Sequence, residues 1–287
     1  MTHKESLLRW IRHLCAPMEP LPTGIEPVLT EIRDTRAVLF DVYGTLFISA
    51  SGDIGSDAIE GGALRKAFNM LDLPAPPAEG ALQRNIRLRH EEAWRRGIAY
   101  PEVDIRDVWR DVLGPAFPAS DETIEELAVI YECLVNPVWL MPGMRECLDL
   151  LRSKGLLLGI VSNAQFYTPL VFEALAGAAP ETLGFTPSLC AWSFELGFAK
   201  PSPDLVAAPL RALAANHGIL PHEVVMIGND SRKDIAPAFN VGCKTIQFAG
   251  DARSYRPSPD GAPADALVRA LTDVPHLLKT NASSSGC

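Results

Sequence analysis

An aspartate directly after a buried apolar run is the first place in this sequence where chemistry could occur. Residues 37–40 read AVLF, which is typical of a strand buried on both faces of a parallel sheet, and the run stops at Asp41. Gly44 then allows a sharp turn at the carboxyl end of the strand, where open α/β sheets bind ligands. A carboxylate at this position acts as a nucleophile, binds a metal, or is buried without a partner at a large cost in free energy. Because aspartates also start ordinary turns, Asp41 needs partners elsewhere in the chain.

Further polar residues follow three other apolar runs. Ser162 and Asn163 come after LLLGIV, Lys200 comes after FELGFA, and Asp230 and Asp234 come after VVMIG. Taken singly, these residues have ordinary roles as helix caps or a solvated lysine. Taken together, they put a hydroxyl, an ammonium and a carboxylate pair at strand ends that a parallel sheet brings to one edge. The sequence therefore predicts a site that joins these groups to the first aspartate.

The elements that must position these residues alternate between strands and helices from residue 142 onward. Apolar strand-like runs such as EVVMIG and CKTIQF are separated by helical patterns such as DLVAAPLRALAANHG. This alternation predicts right-handed crossovers and a doubly wound parallel sheet. From about residue 62 to 136 the apolar residues recur only at three- and four-residue intervals, which predicts an inserted all-helical unit.

We therefore predict an α/β core from residues 1–49 and 138–287, in which 1–35 is a helical, proline-rich lead-in. Residues 50–137 are predicted to form the helical insertion. A Ser/Gly-rich loop near 48–58, expected to be mobile, and the segment Asn136–Pro142 are the predicted hinges.

Composition narrows the possible functions. The chain has 287 residues, a net charge of −9 and a pI near 5.2, which argues against non-specific binding to nucleic acid or to an anionic membrane. No apolar run approaches the roughly 18 residues that span a bilayer, and the amino terminus lacks the apolar core of a secretory signal. The six cysteines form no CxxC pair and are interpreted as reduced thiols. We expect a cytoplasmic monomer or homodimer with no nucleic-acid or membrane partner.

Four motifs resemble those of a known family. DVYGT at 41–45, Ser162, Lys200-Pro201 and GNDSRKD at 228–234 are similar, in this order, to the signature motifs of the haloacid dehalogenase-like hydrolases. The resemblance covers residues 36 to about 250, including the helical cap inserted after the first motif. It implies a Rossmann-like core and an aspartyl–substrate intermediate. The catalytic residues that it implies are Asp41, Thr45, Ser162 and Lys200, and the substrate-binding residues are Ser162, Asn163, Tyr43 and Lys200. The implied ligands of Mg²⁺ are the Asp41 carboxylate, the Tyr43 main-chain carbonyl and Asp230, with Asp234 assisting.

Elementary chemistry agrees with these implied roles. Mg²⁺ prefers oxygen ligands and usually takes one or two carboxylates with waters and substrate oxygens. A cation would also relieve the repulsion between Asp230 and Asp234 and between Asp41 and an attacked phosphoryl group. A serine hydroxyl can donate to a phosphoryl oxygen, and a lysine can offset charge that develops in the transition state.

Tyr43 departs from the pattern of the family's phosphatases. Most of them carry at that position a second aspartate, which protonates the leaving oxygen, whereas a phenol with a pKa of about 10 is a poor acid–base group near neutrality. DVYGT is instead similar to the first motif of 2-haloacid dehalogenases, where halide leaves without a proton. Those enzymes are metal-independent and lack the acid pair of the fourth motif, and they place a tyrosine where this chain has Val206. The first motif thus favours a dehalogenase and the fourth favours a phosphatase.

Our expectation is a Mg²⁺-dependent hydrolase of a small anionic substrate, a phosphorylated metabolite, through an aspartyl-phosphate. The first alternative is a carbon–halogen hydrolase that acts on a haloacid with the same Asp41 ester chemistry. The second is a non-catalytic ligand-binding protein that retains the metal site. Five arginines against two glutamates across residues 84–96 are interpreted as a solvated helix face in preference to a contact with an anionic substrate.

Overall fold

The structure is a computed structural model that describes residues 2–51, 60–117, 119–259 and 262–280. In chain order its strands are β1 (Ala37–Phe40), β2 (Phe47–Ser49), β3 (Val138–Leu140), β4 (Leu157–Ser162), β5 (Phe185–Trp192), β6 (Val224–Gly228), β7 (Lys244–Phe248) and β8 (Ala266–Val268). Its helices are α1 (His3–Leu14), α2 (Glu60–Met70), α3 (Ala81–Arg95), α4 (Ile105–Leu113), α5 (Asp121–Val135), α6 (Met144–Ser153), α7 (Thr168–Val171), α8 (Ser193–Leu196), α9 (Pro203–His217), α10 (Ala236–Asn240) and α11 (Val274–Leu277). A short π-helical turn at Phe172–Ala176 directly follows α7, and another at Ser231–Ile235 directly precedes α10.

A six-stranded parallel sheet in the order β5-β4-β1-β6-β7-β8 forms the core. The chain builds outward from β1 in both directions, so the strand order reverses beside this central strand. Ligands bind at such reversal points, at the carboxyl ends of the strands. The predicted α/β class with a doubly wound, Rossmann-like sheet is confirmed. The three-residue strand β8 was not predicted, because so short a run carries no periodicity.

The central strand β1 is buried completely because both faces of the sheet are covered. Val38 and Phe40 point into the larger hydrophobic cluster, whereas Ala37 and Leu39 point into a second cluster on the other face. This alternation follows from the two-residue period of a strand. The apolar run predicted from AVLF is therefore a strand packed on both sides.

The connections between the core and the helical insertion differ from the prediction. Residues 47–49 were expected to begin a loop and residues 138–140 to belong to a linker, but β2 and β3 pair antiparallel, with Phe47 opposite Leu140. Ser49 Oγ also donates to Asn136 Oδ1 at 2.8 Å. The two chain segments that connect core and cap therefore form a short two-stranded antiparallel ribbon. The sequence did not predict it, because strands of three residues are too short to show a periodic pattern. Residues 52–58 of the predicted mobile loop lie outside the described residues.

Helices α2–α5, which we call the cap, share a hydrophobic cluster of their own around Phe68, Trp109 and Leu127. Helix α4 begins where the Asp104 side chain accepts from Arg106 N, and α5 begins where Ser120 accepts from Thr123 N. The members of the hydrophobic cluster are apolar residues that recur at helical spacing in the sequence. The inserted all-helical unit that was predicted as part of the fold is therefore present.

Helix α1 packs its apolar face, Leu7, Leu8 and Ile11, into the larger cluster beside Val129 of the cap and Phe172 of the core. A capping box between Thr2 and Glu5 fixes its first turn. Of the helices in the described ranges, none has the length and apolar character that a membrane span requires.

Candidate active site

The loop after β1 carries Asp41 to the switch point of the sheet. Asp41 N continues the strand ladder by donating to Ile227 O at 2.9 Å, and its side chain is buried. The loop then turns back because Val42 O accepts from Thr45 N, Leu46 N and Phe47 N at 2.9 to 3.2 Å. Gly44 has a φ of +86°, and a Cβ at this position would lie 2.6 Å from Ser254 Cβ, so only glycine fits.

Lys200 places one cation between two carboxylates. Its Nζ lies 2.6 Å from Asp41 Oδ1 and 2.6 Å from Asp234 Oδ1, and all three side chains are almost fully buried. Burial alone lowers the pKa of Lys200, but the two carboxylates outweigh burial and raise that pKa above its usual range. The lysine is therefore a permanent ammonium held between two buried carboxyl groups.

Asn163 holds the lysine in place. Lys200 N donates to Asn163 Oδ1 at 2.7 Å, and Asn163 Nδ2 donates back to Lys200 O at 3.4 Å. The structure therefore gives Asn163 a positioning contact with the lysine backbone, in addition to the substrate contact that the sequence predicts.

Two hydroxyls contact the two carboxylate oxygens of Asp41. Ser162 Oγ donates to Asp41 Oδ1 at 3.2 Å, and Thr45 Oγ1 lies 3.4 Å from Asp41 Oδ2. Thr45 Oγ1 also donates to Asn229 Oδ1 at 3.1 Å, and Asn229 Nδ2 donates to Ser254 O at 2.6 Å. Asn229 was not among the predicted site residues. Its signal in the sequence was its place as the first polar residue after VVMIG.

Asp234 reaches the site because Gly228 leaves room for it. A Cβ on Gly228 would lie 2.3 Å from Asp234 Cγ, so a side chain there would displace the carboxylate from the end of β6. Asp230 N donates to Asp234 Oδ2 at 2.9 Å. Burial raises the pKa of Asp234 to about 7, with Lys200 opposing the rise and Asp41 adding to it.

Two predicted site residues use side-chain atoms in contacts outside the group formed by Asp41, Lys200 and Asp234. Asp230 Oδ1 accepts from Arg232 N at 2.8 Å and from Lys233 N at 2.9 Å, so this carboxylate caps the following helical turn. The Tyr43 hydroxyl lies 2.9 Å from Thr168 Oγ1, and burial raises the pKa of the phenol well above its usual value. The structure therefore brings together Asp41, Thr45, Ser162, Lys200 and Asp234, and it leaves the Tyr43 phenol outside this group.

The donors available to a metal ion are few. Among the described residues, no group of three or more His, Cys, Asp or Glu side chains is placed to hold a metal. The remaining donor set is the carboxylates of Asp41 and Asp230 with the main-chain carbonyl of Tyr43, since the hydrogen bonds that close the loop go to the Val42 carbonyl. One or two carboxylates completed by waters and substrate oxygens is the set that Mg²⁺ usually takes. The donors thus fit Mg²⁺ bound together with a substrate.

The sequence model of the haloacid dehalogenase-like hydrolases matches residues 35–242, which contain all of these residues. The chain belongs to this family. It is also 27% identical over 262 residues to a phosphoglycolate phosphatase of Shigella boydii serotype 4 (strain Sb227), which covers 86% of this chain and 93% of the relative.

Solved structures of 2-haloacid dehalogenases share the fold of this hydrolase. The enzyme from Pseudomonas syringae pv. Tomato DC3000 superimposes with a TM-score of 0.56 at 20% identity, over 85% of this chain and 97% of that chain. The L-2-haloacid dehalogenase from Xanthobacter autotrophicus with chloropropionic acid covalently bound gives a TM-score of 0.51 at 20% identity, over 85% and 98%. At such identities the likeness shows the fold alone.

In this family member the cap is hydrogen-bonded to the loop that carries Lys200. Ala199 N donates to Tyr100 O at 2.8 Å, and Glu102 N donates to Gly197 O at 3.1 Å, so the segment before α4 pairs with the residues before Lys200. Gln165 adds a second link, because it donates to Val103 O at 2.8 Å and accepts from Ile105 N at 2.9 Å. The sequence did not predict these contacts.

A cavity of about 290 Å³, here called the cap cavity, lies between these contacts and the cap helices. Its core wall includes Asn163, which follows Ser162, and Lys233, which precedes Asp234, so the cavity adjoins the residues around Asp41. Glu102 lines it from the cap side and accepts from Ser193 Oγ at 2.7 Å. Burial raises the pKa of Glu102.

Proposed function

We propose that this hydrolase cleaves phosphate esters or acyl phosphates of small metabolites through an aspartyl-phosphate on Asp41, with Mg²⁺ as its cofactor. The observation that carries the proposal is the shared cation: Lys200 Nζ lies 2.6 Å from both Asp41 Oδ1 and Asp234 Oδ1 at the switch point of the sheet. The names of the relatives support it, since those that match most of the chain are phosphoglycolate phosphatases.

In the first step an Asp41 oxygen forms a bond to phosphorus while the bond from phosphorus to the leaving oxygen breaks. Lys200 and Ser162 already contact this carboxylate, so they lie where they can donate to the phosphoryl oxygens as charge develops. In the second step water attacks phosphorus, the aspartyl bond breaks, and phosphate leaves with the carboxylate restored. When bound by Asp41, Asp230 and the Tyr43 carbonyl, Mg²⁺ supplies the positive charge that offsets the repulsion between carboxylate and phosphate.

The leaving group must depart without help from the residue at position 43. The Tyr43 phenol is hydrogen-bonded to Thr168 Oγ1, away from Asp41. It therefore cannot serve as the proton donor that the family's phosphatases have at this position. General acid catalysis typically contributes roughly 10²- to 10⁴-fold. Aryl and acyl phosphates, whose leaving groups need no proton, should therefore be hydrolysed much faster than alkyl phosphates.

Turnover of p-nitrophenyl phosphate with Mg²⁺, and then with excess EDTA, tests the proposal. We expect release of p-nitrophenol by the wild type with Mg²⁺, little release with EDTA, and none from Asp41→Asn in either condition. Asp41→Asn keeps the size of the side chain, so loss of turnover with an unchanged melting temperature points to the nucleophile. Equal turnover in EDTA, or activity that survives in Asp41→Asn, would contradict the proposal.

Carbon–halogen hydrolysis is the second candidate, and Tyr43 favours it because halide leaves without a proton. The same Asp41 oxygen would displace halide from a 2-haloacid, and water would then cleave the ester. Chloride release from 2-chloropropionate in EDTA, with phosphate esters left intact, would decide for this candidate. A protein that turns over neither class would correspond to the ligand-binding alternative.

A further inference from the structure

Two residues that line the cap cavity each carry a buried side-chain nitrogen with no hydrogen-bond partner among the described residues. The indole Nε1 of Trp109, on α4, and the imidazole Nε2 of His90, on α3, are both buried, and within the described ranges neither has a hydrogen-bond partner. Both residues line the cap cavity. Buried polar atoms in folded proteins are nearly always paired, so each exception calls for an explanation. A ligand that supplies the missing partners is one.

The walls around these atoms are mainly apolar. Leu82, Ile86, Ala128 and Val135 line the cavity together with the ring of Trp109, which is fully buried. The volume of about 290 Å³ lies near the lower end of the range for small-molecule pockets and far exceeds a two-carbon acid. The cavity therefore suits a leaving group with a sizeable apolar body.

The charges in the cavity do not suit an anion. Its charged residues are the carboxyls Glu102 and Glu132 and the ammonium of Lys233. Even with Glu102 protonated, one ammonium faces one carboxylate. Of the described residues that line the cavity, none is an arginine, the side chain that most often binds carboxylates in proteins.

Two of the arginines between residues 84 and 96 contact carboxylates outside the cap cavity. Arg89 Nη2 contacts Asp111 Oδ2 at 2.5 Å, and Arg95 lies 3.9 Å from Glu91 on an exposed face of α3. Neither arginine lines the cap cavity. An anionic leaving group such as glycolate would therefore find no arginine from these positions.

We propose that the cap cavity binds the leaving group of the substrate and selects an uncharged, mostly apolar group that accepts a hydrogen bond from Trp109 Nε1–H. This inference rests on the proposed function and specifies its substrate class. Trp109 is a specificity residue, and His90 Nε2 offers a second polar contact to the same group. Asn163, which lies between the catalytic serine and the cavity, marks where the leaving group would pass from one region to the other.

Aryl phosphates with closely matched leaving-group pKa values test the substrate class. We compare 4-acetylphenyl phosphate, whose leaving group is uncharged and has an acceptor, a chlorinated phenyl phosphate, whose leaving group is uncharged and has none, and 4-carboxyphenyl phosphate, whose leaving group is anionic. For the wild type, kcat/KM should be about fivefold to tenfold higher for the acetyl than for the chloro compound, as one buried hydrogen bond predicts. The anionic carboxyl compound should be lower again. A best rate on 4-carboxyphenyl phosphate would overturn the inference and leave the proposed function intact.

Trp109→Phe tests the donor itself, because it removes the N–H and keeps an aromatic ring. The ratio of kcat/KM between the acetyl and chloro substrates should fall toward one, because the hydrogen bond that distinguishes the two substrates is lost. Trp94→Phe is the matched control: Trp94 lies on α3, is half exposed, and donates from Nε1 to Ala99 O at 3.2 Å. Its ratio should stay that of the wild type. An unchanged ratio in Trp109→Phe would overturn the assignment of the donor.

A binding measurement keeps the two proposals separable. In Asp41→Asn, which should bind without turnover, 4-acetylphenol should raise the melting temperature more than a chlorophenol, and 4-hydroxybenzoate should raise it least. If no phosphate ester is hydrolysed by the wild type, the proposed function fails and this order of shifts still decides the chemistry of the cavity. The reverse order would overturn the inference even with active enzyme. If Trp109→Phe does not fold, the wild-type ratios and shifts decide alone.

Discussion

The Asp41 site and the cap cavity satisfy their polar groups in different ways. At the site, Asp41, Ser162, Lys200 and Asp234 are all hydrogen-bonded to one another or to the backbone. In the cavity, the buried nitrogens of Trp109 and His90 are left unpaired within the described residues. The Asp41 site, where we propose that the chemistry takes place, is thus preorganised by the protein, as electrostatic catalysis requires. The cap cavity, in our proposal, is completed by the leaving group.

The two regions are nevertheless connected through the backbone. The pairing of Tyr100–Glu102 with Gly197–Ala199 joins a wall of the cavity to the residues directly before Lys200. A shift of the cap would therefore be transmitted to the loop of the catalytic lysine. This link is consistent with caps that complete an active site on closing.

The largest effect should come from removing the shared cation. Lys200→Met would leave two buried carboxylates without their ammonium, and breaking a buried ion pair in this way costs about 3–5 kcal/mol in the free energy of unfolding. Turnover of p-nitrophenyl phosphate should fall at least roughly 10²-fold, because the charge that Lys200 offsets develops in the transition state. Urea denaturation and initial rates measure the two effects.

Lys4→Met is the matched control for this substitution. Lys4 Nζ lies 2.6 Å from Glu173, as close as the catalytic pair, but the lysine is more than half exposed. Exposed pairs contribute only about 0–1 kcal/mol. Adding Asp234→Asn to Lys200→Met should recover part of the lost stability, since one uncompensated charge is removed. Equal losses in Lys4→Met and Lys200→Met would mean that the buried cation has no special role.

Much of the catalytic edge could be predicted because it follows from strand ends. Asp41 follows AVLF and Ser162 follows LLLGIV, and parallel strands must bring such residues to one edge of the sheet. Lys200 could be added by its place after a third apolar run. No pattern indicated that the lysine would contact both Asp41 and Asp234, because that depends on how the loop from Trp192 is folded.

The cap cavity could not be predicted for a different reason. Trp109 and His90 lie in segments whose helical periodicity indicates packing and no binding role, and the ring of Trp109 does belong to the cap's hydrophobic cluster. Whether its N–H finds a partner depends on how α3 and α4 pack together with the core loop at Asn163. Such contacts between distant segments leave no periodic signal. The side-chain direction of Asp230 was likewise hidden, since capping and metal binding use the same residue type.

Tyr43→Phe should give a smaller effect, confined to stability. The phenol contributes one buried hydrogen bond to Thr168 Oγ1, which still accepts from Gln165 N at 3.1 Å after the change. The free energy of unfolding should fall by about 1 kcal/mol. The rate on p-nitrophenyl phosphate should stay within about twofold, because the hydroxyl lies outside the hydrogen-bonded group around Asp41. A loss of roughly 10²-fold would instead make Tyr43 a proton donor.

The smallest effect should come from Glu102→Gln in the cap cavity. This substitution should raise the free energy of unfolding, whereas the preceding substitutions lower it. Burial raises the pKa of Glu102 in the folded protein, while its hydrogen bonds from Val103 N and Ser193 Oγ and the charge of Lys233 oppose the rise. A carboxyl with a raised folded-state pKa binds its proton more tightly when folded. Its stabilising protonation is fully present below the unfolded pKa of about 4.3 and is lost as the pH rises through the raised value.

Glu102→Gln should therefore match the wild type near pH 4 and become the more stable protein as the pH rises above that. Urea midpoints measured from pH 4 to 8 would show the two curves diverging with increasing pH, by less than the loss in Lys200→Met. Glu91→Gln, on the exposed face of α3, is the control and should follow the wild type throughout. If Glu102→Gln instead becomes less stable than the wild type toward pH 8, the contacts of the Glu102 carboxylate stabilise its ionised form. The contrast between a preorganised site and an incomplete cavity would then not extend to the charged groups of the cavity.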